Sequence, residues 1–223
     1  MANLVTCLLK PLFALHISDG VLQRPWLIGG FVVAAVLAWL GSRRLKEEEI
    51  PRIAVLSAAF FVASSIHVPA GASSVHLLLN GLVGIILGMR AAVAIPLGLF
   101  LQAILFSHGG VTVLGVNCCV MTLPALGAWL AFARLRRTRW FAQPYFRWIV
   151  GFLLGSLTVM ATALLTCFVL EFGGEEEWSA LVAVVLVVHL PVAAVEGLVM
   201  AATVNFLYKV KPEMLGITWN GQM

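Results

Sequence analysis

The chain has 223 residues, 61% of them hydrophobic and only 11% charged, with a formal net charge of +4. Its mean hydropathy is +1.03. Soluble domains carry about 25% charged residues, so this composition excludes a water-soluble globular domain and describes an integral membrane protein. The positive charge sits in short loops between apolar runs, not along one face, which excludes a nucleic-acid-binding surface.

Residues 1–15, MANLVTCLLKPLFAL, are interrupted by Lys10 and Pro11 and fall short of the roughly 20 apolar residues that a spanning helix needs. They read as an N-terminal extension: a weak signal peptide, an upstream start or a real addition. Residues 16–223 read as one integral-membrane domain, because no Gly/Ser-rich or Pro-rich linker divides them. They open on a polar turn, HISDGVLQRPW, punctuated by Ser18, Asp19 and Gly20.

Apolar runs follow near 26–40, 53–66, 75–89, 91–106, 114–133, 148–170 and 178–207. They predict an all-α, polytopic bundle of about seven transmembrane helices. Sheet is not expected, since spanning strands must close into a barrel and period-2 alternation is missing. The third and fourth runs meet at Met89 and Arg90 in a tight turn. Cys7, Cys118, Cys119 and Cys167 lack chelating spacing and read as small apolar residues.

Loop charge sets the orientation. Arg43, Arg44, Lys46, Arg52, Arg90, Arg134, Arg136, Arg137, Arg139, Arg147, Lys209 and Lys211 fall on one side of a seven-span weave, leaving only Lys10 and Arg24 elsewhere. Basic loops mark the cytoplasmic side. The N-terminus is therefore expected outside, the C-terminus in the cytoplasm, and the acidic turn 175–177 outside.

His16, His67, His76 and His108 then share the outer end, although they come from three separate segments. They could be loop histidines bonded to backbone or water. Their clustering favours an outward-facing metal pocket instead, and imidazoles with few carboxylates suit nickel, cobalt, zinc or copper. Asn80, one helical turn after His76, and Asp19, three residues after His16, are placed to steady those rings. Asn117 either caps the fifth span or returns a polar group to the same end. His189 and Glu196 lie seven residues apart on one face of the last span, where Glu196 either pairs with a helix-breaking backbone or a polar side chain, or handles ions. No catalytic constellation such as HExxH is present, and no GxxxxGK[ST] nucleotide loop. A membrane-embedded metal enzyme and a vitamin-binding component are the competing classes.

Four segments carry a resemblance: HISDGVL (16–22), IHVPAGASSVHLLLNGLVGIILG (66–88), LQAILFSHGGVTVLGVN (101–117) and HLPVAAVEGL (189–198). Together they resemble the CbiM/NikM family, substrate-binding membrane components of cobalt and nickel energy-coupling-factor (ECF) transporters. The resemblance implies a seven-span protein of the cell (inner) membrane that is not an enzyme and needs no cofactor. Its substrate would be cobalt(II) or nickel(II), with cobalt feeding cobalamin biosynthesis. Its partners would be an ECF transmembrane coupling subunit and cytoplasmic ATPase subunits. The family's N-terminal segment folds into the outer pocket, where the free amine, the next amide nitrogen and two imidazoles ligate the metal. Those imidazoles correspond to His16 and His76. Here residues precede Leu15, so either they are absent from the functional protein or another ligand, His67 or His108, replaces the amine.

Overall fold

A computed structural model describes residues 16–66, 68–70, 73–106, 108–175 and 178–217. His67, and with it one of the four candidate ligands, lies outside them. Among the described residues there are seven α-helices: α1 (Arg24–Ser42), α2 (Ile50–Ser65), α3 (Asn80–Leu87), α4 (Ala91–Phe106), α5 (Leu114–Leu135), α6 (Pro144–Gly173) and α7 (Ser179–Val210). Among the described residues, five stretches are long and apolar enough to cross a membrane, one of them Asn80–Phe106, which contains both α3 and α4. The 16-residue α2 falls below that length. The protein is thus a nearly all-helical, multi-pass membrane protein.

Two expectations change. The third run is helical only from Asn80, because 76–79 are non-helical and Leu79 takes a left-handed conformation (φ 50°). A short antiparallel hairpin, β1 (Val68–Ala70) with β2 (Ser73–Val75), also precedes it. The Pro-Ala-Gly break between two apolar runs favours such a turn, and a hairpin this small pairs its own backbone without forming a barrel. The helical path also breaks at Gly88, whose φ of 58° and ψ of −130° suit a residue without Cβ.

Prolines start α1 and α6 at positions where their missing N–H has no intrahelical partner. The long helices α6 and α7 pair through small residues. Cβ atoms added to Gly151 or Gly155 would strike Ala201 and the Glu196–Gly197 backbone, and one on Gly197 would strike Phe152 and Ser156. Such contacts let membrane helices approach closely enough for dispersion to hold them, where lipid removes the hydrophobic drive. Gly84 of α3 likewise faces the Ala125 carbonyl of α5 with no room for a methyl group. Replacing Gly84 by alanine should therefore separate these helices and cost about 1–3 kcal/mol, read as a lowered thermal midpoint in detergent.

The outer faces are apolar, with Ile28, Val32, Val36 and Trp39 exposed on α1 and Leu157, Leu164, Phe168 and Phe172 on α6. Inside, Phe60, Ile95, Leu99 and Met121 are fully buried, while His16, His76, Asn80, Asn117, His189 and Glu196 are buried polar groups. Cys118 and Cys167 are buried free thiols, as expected for apolar fillers, whereas Cys119 is only half-buried. Cys7 lies outside the described residues.

The bundle has two chemically different ends. At one, Arg90 donates to the carbonyls of Gly41, Arg43 and Arg44 and to both carboxylate oxygens of Glu49. That bond from Arg90 holds the Glu49 carboxyl below the usual carboxylate range, aided by the Lys46 backbone. Arg52 donates to the carbonyls of Ile86 (2.8 Å) and Met214 (2.6 Å), and Arg136 to that of Leu215. Arg147, buried, donates to Phe141, Ala142 and Asn205 and stacks on Tyr208. These arginines tie one helix end to the next by satisfying carbonyls that helix C-termini leave unpaired.

Candidate metal site

The opposite end is organised by residues 16–23, which run as a strap over the helix ends with a turn at Asp19–Gly20. Ile17 donates its N–H to Asn117 Oδ1 (3.0 Å) and accepts from Asn117 Nδ2 at its carbonyl (2.9 Å). One side-chain amide thus replaces a strand partner for a buried residue, with both groups shielded from water. Farther on, Gln23 donates to the Gly173 carbonyl (2.9 Å), and Glu175 donates to the Val21 carbonyl (3.0 Å). Ile17, Val21 and Leu22 point into the core. Its buried residues form two adjacent pairs, His16–Ile17 and Val21–Leu22, on either side of the exposed turn at Asp19–Gly20, and the strap is stitched to α5 and to the end of α6.

Asp19 fixes its middle. The Asp19 N–H donates to Gly109 (2.9 Å), and Oδ1 accepts from Thr112 N (3.0 Å), Thr112 Oγ1 (2.5 Å) and Val113 N (3.3 Å). These donors precede the first turn of α5, where an anion is favoured by the helix dipole. Gly110 makes room, since a Cβ there would overlap the Asp19 carboxylate. Asp19 is expected to steady His16; what it holds directly is the 109–113 turn, and through that turn the strap.

This stitching places His16 beside His76. His76 Nε2 and His16 Nδ1 are 3.2 Å apart, with ring centroids separated by 5.0 Å. Both residues are nearly inaccessible, at 2% and 4% exposure. The other nitrogen of His76, Nδ1, lies 2.9 Å from the Leu77 carbonyl. With the proton on that Nδ1, the Nε2 lone pair points at His16. This is the arrangement that raises ligand basicity in metal-binding histidines. Two nitrogens 3.2 Å apart can share one ion at about 2.0–2.1 Å from each, which corresponds to an angle of about 100° at the ion.

The remaining candidates are distributed otherwise. His108 is partly buried and its ring lies against Phe106, centroids 5.7 Å apart. Among the described residues, no group of three or more His, Cys, Asp or Glu side chains is placed to hold a metal ion. Asn80 is turned away from the role expected of it. Its Nδ2 donates to the Met121 carbonyl (3.0 Å) and Thr162 Oγ1 (2.9 Å), and its Oδ1 accepts from Gly81. The reason is local: the i, i+4 relation to His76 requires a helix, and 76–79 are not helical. His189 Nδ1 lies 2.7 Å from the Val185 carbonyl of its own helix.

Glu196 is the residue whose use the sequence leaves undecided. Its Oε1 accepts from the N–H groups of Leu78 (2.5 Å) and Leu79 (2.9 Å), which answers for backbone pairing. The signal was an isolated carboxylate within an apolar run; its target, 118 residues away in the chain, carried none.

Comparison with known proteins agrees with this architecture. The family model described as "Cobalt uptake substrate-specific transmembrane region", CbiM, matches residues 16–214. A Haemophilus influenzae protein whose name refers to metal transport is 41% identical over 210 residues, covering 92% of this chain and 99% of that protein. The cobalt transport protein CbiM of Geobacter sulfurreducens is 30% identical over 221 residues, covering 92% of this chain and 62% of that protein. A crystal structure of a transition metal transporter has the same fold, with a TM-score of 0.73 at 21% identity over 87% of this chain and 93% of that one.

Proposed function

Because this chain belongs to the CbiM family of cobalt uptake substrate-specific transmembrane regions, we propose that it is the substrate-binding component of an ATP-driven cobalt or nickel uptake transporter. The divalent ion is its substrate, taken from the outer side between His16 Nδ1 and His76 Nε2. The observation that carries this reading is their 3.2 Å approach, with both residues buried. Imidazole donors in a site without thiolates favour late first-row divalent ions over magnesium or calcium.

Seven membrane-inserted helices, with the strap end outside and the arginine end in the cytoplasm, complete the reading. It is supported by the gathering of Arg52, Arg90, Arg136 and Arg147 at the end away from the strap, as the positive-inside rule requires. The chain acts as a transport component without catalysis of its own, in the inner cell membrane, and relies on an ECF coupling subunit and cytoplasmic ATPases for energy. Its cobalt would serve cobalamin biosynthesis. Donors beyond the histidine pair come from the main chain on the N-terminal side of His16, or from His67.

Metal analysis of the purified full chain after equilibrium dialysis against Co(II) or Ni(II) tests the proposal. One ion per chain is expected, and native mass spectrometry of the same sample gives the first residue of the metal-bound species. A chain that retains no metal, or that carries an organic ligand instead, would refute the reading.

A further inference from the structure

Glu196 takes no part in the histidine pair, yet it grips the backbone that carries His76. Residues 76–79 have left β2 and must turn into α3 through Leu79, whose left-handed backbone (φ 50°, ψ 7°) is unfavourable for a residue with a Cβ. The N–H groups of Leu78 and Leu79 precede the first turn of α3, so no intrahelical carbonyl reaches them. Both go to one oxygen of Glu196, at 2.5 and 2.9 Å. An anionic acceptor suits this place, since its hydrogen bonds are stronger than neutral ones and the helix N-terminus is electropositive.

We propose that Glu196 is the positioning residue of the metal site: through its carboxylate, α7 holds the segment 76–79 so that His76 stays in register with His16. This rests on the reading of that pair as the site. Leu78 is two residues from His76, a span of at most about 7 Å, so little chain separates anchor from ligand. A ligating group must be held within about 0.5 Å of its productive position, and a turn strained at Leu79 does not hold itself. Glu196 is 3% exposed on a helix that α6 grips along Gly151 and Gly155, which makes it a rigid post.

The test uses the full purified chain with Glu196→Gln, which keeps an oxygen of the same shape without the charge, and Glu196→Ala, which removes the acceptor. Asn205→Ala is the control: it lies on the same helix and is buried, but it bonds Arg147 at the other end. Co(II) affinity, the Co(II) d–d absorption bands and the thermal midpoint of the metal-free protein are measured together. Glu196→Gln should weaken Co(II) binding about tenfold and Glu196→Ala about 100-fold, the range for groups that orient a ligand, with shifted bands. Asn205→Ala should lower the midpoint while leaving affinity within about twofold. Wild-type affinity and spectrum in both Glu196 variants would overturn the proposal, as would an affinity loss that Asn205→Ala reproduces at equal midpoint. If the wild-type chain binds no Co(II), the metal reading fails instead. The imidazole 15N spectrum of the metal-free protein then decides: changed His16 and His76 signals in Glu196→Gln support the positioning role, and unchanged ones overturn it.

Discussion

Replacing His76 by alanine should abolish tight binding of Co(II) and Ni(II), lowering affinity by more than about 100-fold. Loss of a group that merely orients a metal ligand costs about 10–100-fold, and His76 supplies a donor atom. His16→Ala should match it, because the two nitrogens 3.2 Å apart act as a pair. His108→Ala, whose ring lies against Phe106, should cost less than about tenfold, the lower bound for an orienting group. Equilibrium dialysis with metal analysis reads all three, and the thermal midpoint of each metal-free variant shows that the fold persists. Wild-type affinity in His76→Ala would remove the histidine pair from the mechanism.

The second large effect belongs to Asn117. Leucine in its place fills a similar volume but leaves the N–H and carbonyl of Ile17 without the partners that Asn117 supplies. Each buried polar group left unsatisfied costs about 1–3 kcal/mol. The strap escapes most of that cost by lifting away from α5, since Asp19 and Gln23 hold it only farther along. His16, next to Ile17, then leaves His76. Asn117→Leu should therefore speed amide hydrogen exchange over residues 16–23 and lower metal affinity at least about 30-fold, the equivalent of the 2 kcal/mol minimum for two such groups. Native exchange rates in this variant would show that the remaining contacts dock the strap unaided.

The membrane character, the helical class and the sorting of basic and histidine-bearing segments to opposite ends were legible in the sequence. These follow from composition and from which loops hold arginine, and every such rule acts within a short stretch of chain. The same locality explains where the structure differs. The apolar run predicts a helix from residue 75, but hydropathy does not register the left-handed turn at Leu79 or the carboxylate that stabilises it. Helical spacing relates Asn80 to His76, but that spacing does not apply where 76–79 are non-helical.

His16 and His76 are recognisable as candidate ligands from residue type and position, but their approach is a property of the folded molecule. It depends on Asn117 holding Ile17, Asp19 holding the 109–113 turn and Glu196 holding Leu78 and Leu79. Each of these bonds joins residues more than ninety positions apart. The sequence by itself determined the solvent in which the chain folds and the donors available to it, because hydropathy and side-chain chemistry belong to single residues and short windows. Only the tertiary structure decided which donors meet, because buried N–H and carbonyl groups at the helix ends and in the strap must find partners, and those partners lie on other helices.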